Sequence, residues 1–163
     1  MTEQQARAQL RDLKNRFAYM FDRPSMGFDF YCGWLDDFIA ACEAIDDLLG
    51  DDKRGFCFSQ IKEKYGWARY YFKTDHVRPM RLSITSPRGV HETVKGLSDE
   101  HEIEKNIAKI LLAAEEKSMH KCMNCGAPAE IRKLNNMLIC VCDEHAHEER
   151  GEAVRCALIS EEH

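Results

Sequence analysis

The chain has 163 residues, 31% of them charged and 44% hydrophobic, with a net charge of −5 and a mean hydropathy of −0.50. These values describe one globular domain with room for a small appended module, and they exclude a disordered tail and an integral membrane protein. Eight cysteines are dense for this length and pose a choice among disulfides, a metal site and buried thiols.

The segment Met1-Thr2-Glu3-Gln4-Gln5 is polar and acidic and lacks the basic and apolar regions of a secretory signal. No apolar run approaches the roughly 20 residues that span a bilayer, and no terminal lipidation motif is present. A cytoplasmic location is therefore expected, and in that reducing setting the cysteines read first as thiols or thiolates.

Charge is segmented along the chain. Residues 1–28 sum to +2, residues 29–52 carry eight acids and no Lys or Arg, residues 53–95 sum to +7, and the remainder to −6. The acids of the second segment are Asp29, Asp36, Asp37, Glu43, Asp46, Asp47, Asp51 and Asp52.

Leu10, Leu13, Phe17 and Met20 recur at helical spacing, which predicts an amphipathic helix over about 3–21 that Pro24 terminates. A second helix is predicted over about 30–49, with Leu35, Phe38, Cys42, Ile45 and Leu49 on its apolar stripe and a packed thiol at Cys42. The period then changes to that of strands. Phe56, Phe58 and Ile61, then Trp67–Phe72 and Met80–Thr85, predict a small antiparallel sheet broken at Gly66 and Pro79. A long helix capped at Ser98-Asp99-Glu100 continues through Ile103, Ile107, Ile110, Leu111 and Ala114. The layout is α+β, with a body over 1–119, a knuckle module over 120–150 and a tail over 151–163.

Where the last helix ends, the chemistry begins. Cys122-Met123-Asn124-Cys125-Gly126 is a C-x-x-C-G knuckle, whose spacing lets two thiolates face one ion while Gly126 lets the backbone fold beneath it. Cys142-Asp143-Glu144-His145 follows, giving C-x2-C-x16-C-x2-H. Residues 129–132 and 137–139 can pair as a hairpin turning at Asn135-Asn136, which would bring the two pairs together. Four nitrogen and sulfur ligands fill a tetrahedral zinc shell, so the site reads as structural. Two alternatives stand beside this set. Cys140, two residues before Cys142, would face the same way on an extended strand and could replace His145. The thiols could also be idle, with no metal at all.

The segment Ile61-Lys62-Glu63-Lys64-Tyr65-Gly66-Trp67-Ala68-Arg69-Tyr70-Tyr71, the helical Ala113-Ala114-Glu115, Cys122-x-x-Cys125-Gly126-Ala127-Pro128 and Cys142-Asp143-Glu144-His145-Ala146 occur in that order. Together they resemble a group of small bacterial and phage proteins with a V-K-E-K-F-G-x-L-R-F-Y segment and a terminal C-x-x-C-G-A-P…C-D-x-H-A. The likeness spans about residues 29–147. It implies Cys122, Cys125, Cys142 and His145 as a zinc set and a phage or mobile-element factor in the host cytoplasm, and it implies no activity. Residues 74–96 depart from the pattern as an insert, so nothing carries over to them.

Lys53, Arg54, Lys62, Lys64, Arg69, Lys73, Arg78, Arg81 and Arg88 interleave with Phe56, Phe58, Tyr65, Trp67, Tyr70 and Tyr71. The mixture is suited to phosphates and bases, with Lys64, Arg69, Arg81, Trp67 and Tyr70 as candidate contacts. The competing reading makes the aromatics a sheet core and turns the cations toward the acidic helix. The chain has no P-loop, no G-x-G-x-x-G and no H-E-x-x-H, and Lys121 before Cys122 departs from the deaminase pattern. His145-Ala146-His147-Glu148 loosely matches the histidine-rich segment of ββα-metal nucleases, but a zinc-bound His145 is unavailable as a base. The expectation is a zinc-stabilised, non-enzymatic protein that recognises a protein partner. A nucleic-acid-binding module using residues 53–88 and a metal-dependent nuclease are the alternatives.

Overall fold

Ala6, Leu10 and Leu13 are fully buried along one stripe, and α1 (Glu3–Arg16) follows from that periodicity. The computed structural model describes residues 3–23, 26–75, 101–134, 136–146 and 155–157. The helix expected over 3–21 is two pieces, because Phe17, at φ −123° and ψ 48°, leaves the helical region before the single turn α2 (Ala18–Phe21). Met20 is buried all the same, so the apolar stripe survives the break.

The second predicted helix starts later than the sequence reading placed it. Residues 27–31 form a strand, β1 (Gly27–Tyr31), and a 3-10 turn at Cys32–Trp34 leads into α3 (Leu35–Leu49). Phe28 and Phe30 share one side of β1 with Asp29 on the other, and Tyr31 at its end is buried as well. Then β2 (Cys57–Lys64) and β3 (Trp67–Lys73) form a hairpin. Its turn residues Tyr65 and Gly66 both have positive φ, 60° and 89°, the signature of a type I′ connection. An irregularity between Phe58 and Gln60 keeps both Phe58 and Ile61 on the buried face.

The chain continues as α4 (Glu102–Ser118), β4 (Glu130–Leu134), β5 (Met137–Val141), α5 (Asp143–Ala146) and β6 (Arg155–Ala157). The architecture is α+β. The four-stranded sheet has the order β3-β2-β1-β6 and is mixed rather than antiparallel. The β1–β2 pair is parallel because α3 returns the chain across the sheet between them. The strand expected over 80–85 and the cap at Ser98 lie outside the described residues.

Phe38 of α3 anchors the core. Its ring stacks on Tyr70 at 5.3 Å and 6°, and lies 5.2 Å from Phe30 and 5.4 Å from Phe58. Each such pair contributes about 0.5–1.5 kcal/mol beyond its buried area.

Helix α4 closes the outer edge of β3. The Tyr70 N–H donates to Glu115 Oε1 at 2.8 Å, and the Ala68 N–H donates to Ser118 Oγ at 2.9 Å. Ser118 in turn donates to the Glu115 carbonyl at 2.6 Å. An edge that would otherwise template strand addition is thereby satisfied by helix side chains. Burial pushes the Glu115 carboxyl up to about 7, against the opposing pull of the Tyr70 N–H and Arg69. The folded state therefore holds a proton that the unfolded chain gives up near the usual 4.5, so stability is lost as pH rises from there through about 7. Glu115→Gln keeps an oxygen acceptor for Tyr70 and removes the ionisation. It should raise the unfolding free energy by about 1–3 kcal/mol at alkaline pH and leave it unchanged in acid. Urea titrations of both proteins at two pH values check this, and equal gains at both would contradict the assignment.

Candidate metal centre

Two tight backbone turns shape the knuckle. The Gly126 N–H donates to the Cys122 carbonyl at 2.8 Å, and the Cys122 N–H donates to the Ala127 carbonyl at 2.7 Å. Gly126 takes φ 75°, a conformation that disfavours a side chain. The expected hairpin forms as β4 and β5, with Asn136 at φ 66° in its turn. A bond from the Met123 N–H to the Cys140 carbonyl, 2.8 Å, holds the knuckle against the end of β5. One helical turn then carries His145 back over Cys142, closed by the Ala146 N–H on the Cys142 carbonyl at 2.9 Å.

The result gathers Cys122, Cys125, Cys142 and His145 with all ligand atoms within 4.8 Å of one another. Cys125 Sγ and Cys142 Sγ are 3.8 Å apart, and His145 Nδ1 lies 3.1 Å from Cys142 Sγ and 3.6 Å from Cys122 Sγ. Thiolate bonds of about 2.3 Å to a tetrahedral ion would place two sulfurs about 3.8 Å apart. The four donors thus outline a shell that could hold a metal ion.

The electrostatics fit a cation. Burial opposes ionisation of Cys122, yet backbone N–H groups of Cys142, Cys125 and Asn124 point at its sulfur and bring it below the usual thiol range. Burial pushes Cys125 up to about 11, and the adjacent Cys122 and Cys142 sulfurs add to that. Neighbouring thiolates repel, so only a positive ion among them allows all three to ionise together.

Cys140 is not part of the cluster. It is buried, its thiol donates to the Met119 carbonyl at 3.2 Å, and burial pushes it up to about 12. The ambiguity between Cys140 and His145 is resolved in favour of His145. Cys42 is a core thiol raised by burial, as its place on the apolar stripe predicts. Cys57 receives the Arg23 Nε–H at 3.0 Å. Cys32 is disulfide-bonded, against the expectation that the cysteines are thiols or thiolates; β6 pairs with β1 at Tyr31, next to it in the chain.

The knuckle sits directly on the 3-10 turn that follows β1. The Gly33 N–H donates to the Met123 carbonyl at 2.9 Å, and the Trp34 indole donates to the Lys121 carbonyl at 3.0 Å. A Cβ on Gly33 would lie 2.0 Å from the Cys122 carbonyl oxygen, and one on Gly126 would lie 2.8 Å from the Gly33 oxygen. Lys121 and Lys117 both pair with Asp37 of α3, at 2.5 and 3.6 Å.

The candidate nucleic-acid contacts fare differently. Tyr70 is 1% exposed and Trp67 4%, because strand alternation turns Tyr70 into the core and Arg69 lies over the Trp67 ring at 4.6 Å. Neither ring is available for stacking, and Arg69 is itself 8% exposed. Lys64 is partly exposed, with its ammonium 5.1 Å from the Tyr65 ring. Arg81 lies outside the described residues, as do His147 and Glu148. Of the aromatics in that mixture, Tyr65 in the hairpin turn is exposed, and Tyr71, farther along β3 opposite Gln60, is partly exposed. Their accessibility could have been read from the turn at Gly66 and the alternation that follows it.

No protein-family model, curated protein or solved structure matches the chain.

Two substitutions probe this geometry. Gly33→Ala forces a methyl against knuckle backbone and should cost about 2–3 kcal/mol by denaturant unfolding. Cys142→Ala should abolish metal binding, whereas Cys140→Ala should retain the full metal content by elemental analysis. Loss of metal in the Cys140 variant with its fold intact would put Cys140 back in the ligand set.

Proposed function

We propose that the Cys122, Cys125, Cys142 and His145 cluster holds zinc as a structural staple and that the protein acts by recognition rather than catalysis. The closed donor set carries this reading. Three thiolates and one imidazole complete a tetrahedral zinc shell and leave no position for water or substrate. Cys122 and Met123 belong to the buried core, which ties the ion to the stability of the fold. The nuclease alternative loses support where His145 Nδ1 turns into the sulfur cluster. Among the described residues no other group of three or more Cys, His, Asp or Glu side chains gathers around a common point.

Recognition of a protein partner is the finer role that the acidic and basic segments of the chain suggest, and a phage or mobile-element factor acting on host machinery is what the sequence resemblance implies. Only the phage or mobile-element role rests on that resemblance.

Protein purified without chelator should carry about one zinc per chain. Stripping it with a strong chelator, or replacing Cys122 with Ser, should lower the thermal midpoint and expose the knuckle to proteolysis. Absence of zinc, or an apo protein as stable as the loaded one, would overturn the staple. Magnesium-dependent cleavage of nucleic acid that disappears in His147→Ala would replace recognition with catalysis.

A further inference from the structure

The register of β2 and β3 sorts their side chains onto two faces. Ile61 opposes Tyr70 and Phe58 opposes Phe72 on the core side; Gln60 opposes Tyr71, Lys62 opposes Arg69 and Lys64 opposes Trp67 on the other. Lys73, paired with Cys57, shares that outer side. Phe38 and the other core rings pack on the first side; on the second, Lys62, Lys64 and Lys73 are half-buried and stand beside the buried Trp67 and Arg69.

These cations are not spent on the acidic helix. Asp46 pairs with Lys53 at 2.6 Å, Glu43 with Arg16 at 2.6 Å, and Asp37 with Lys117 and Lys121. Arg54 turns to buried Glu104, 3.7 Å away. Among the described residues, no ion pair includes Lys62, Lys64 or Lys73. Asp29, in register with Lys62, is the acid that the strand pairing places beside them. Two of the three lie over rings instead, and Lys62 Nζ also donates to Gln60 Oε1 at 2.8 Å. Lys62 Nζ is 5.1 Å from the Tyr71 centroid, and Lys64 Nζ is 5.1 Å from that of Tyr65, which is 59% exposed.

We infer that the outer face of the β2–β3 hairpin binds single-stranded nucleic acid, with Lys62, Lys64 and Lys73 on the phosphates and Tyr71 and Tyr65 stacking on bases. This rests on the reading of the chain as a recognition protein and puts a nucleic acid in place of the protein partner. The charge calls for a polyanion, and the interleaved rings favour one that carries π-faces over an acidic peptide. Lysines two residues apart on a strand stand about 6.6 Å from each other, which suits an extended backbone better than a compact anion. An accessible ring beside cations is the composition of sequence-tolerant single-strand platforms. The acidic helix lies across the sheet, where it repels the strand from the wrong side of the molecule and restricts binding to this face.

The test uses the full chain loaded with zinc and a fluorescent single-stranded oligonucleotide of about 12 nucleotides, within the site sizes of known platforms. Anisotropy should report binding at low salt that weakens as salt rises, with a log–log slope of about −2 for three phosphate contacts. Replacing Lys62, Lys64 and Lys73 together with Ala should abolish most of that slope. Tyr71→Ala should weaken binding by about tenfold through lost stacking. Lys109→Ala on α4 should change nothing. Zinc content and thermal midpoint are measured on every variant, so failure of the metal staple and failure of this surface are read separately. Absence of binding at low salt, binding unaltered by the triple variant, or equal displacement by a polyglutamate of the same length would each overturn the inference.

Discussion

The contact between Gly33 and the knuckle is the constraint on which the arrangement depends. Two backbones approach there so closely that neither Gly33 nor Gly126 has room for a Cβ. The approach places the Met123 carbonyl on the Gly33 N–H and the Lys121 carbonyl on the Trp34 indole. Those two bonds join the end of the sheet's first strand to the first ligand pair. The knuckle is consequently one wall of the core, and Cys122 is buried there together with Val141 and Phe30. An ion in the cluster would stabilise more than a surface loop, because the folded knuckle and the docked turn require each other.

The charge segments of the chain acquire a physical meaning in the fold. The run of acids over 29–52 and the basic run after it suggested mutual neutralisation, and only Lys53 of that basic run reaches α3 among the described residues. The other cations on α3 come from Arg16, Lys117 and Lys121, which are distant in sequence. Tyr19 completes one of these clusters by donating to Asp46 at 2.7 Å, and together with Lys53 it holds that carboxyl below the usual range. Such exposed or half-exposed pairs contribute little stability individually. Their importance is positional, since among the described residues they take up the acids of α3 and leave no ion pair to Lys62, Lys64 or Lys73.

What could be read from the sequence divides along the range of the interactions involved. The C-x2-C-x16-C-x2-H spacing, the β4–β5 hairpin and the burial of Cys42 are set by neighbours a few residues away, and all three appear as expected. The strand β1 escaped because its Phe28 and Phe30 abut a strong helical stripe at Leu35 and Phe38, and five residues are too few to separate two periods. Tyr70 was read as surface when alternation alone could not say which face of the hairpin is inside; Phe38, packed flat on its ring, decides that. The role of Glu115 was beyond reach for a different reason. An acid on a helix normally faces solvent, and this one is buried because an unpaired strand edge needs an acceptor 45 residues away in sequence.

The same glycine logic extends from the knuckle to the hairpin. Gly66 sits at the β2–β3 turn, where a Cβ would come within 3.1 Å of the Ile139 backbone and 3.2 Å of the Cys140 nitrogen. The turn that presents Tyr65 and Lys64 therefore rests on β5, two residues before Cys142 of the candidate metal cluster. Cys140 adds a second tie, with its thiol on the Met119 carbonyl where α4 ends. An ion held by the four donors would fix β5, and β5 in turn supports the hairpin tip. The position of the accessible tyrosine is thus coupled to the cluster through backbone packing rather than through any side chain that touches both. The four-donor cluster and the hairpin tip that carries Lys64 and Tyr65 are consequently joined through β5, so an ion held by the first would help to order the second.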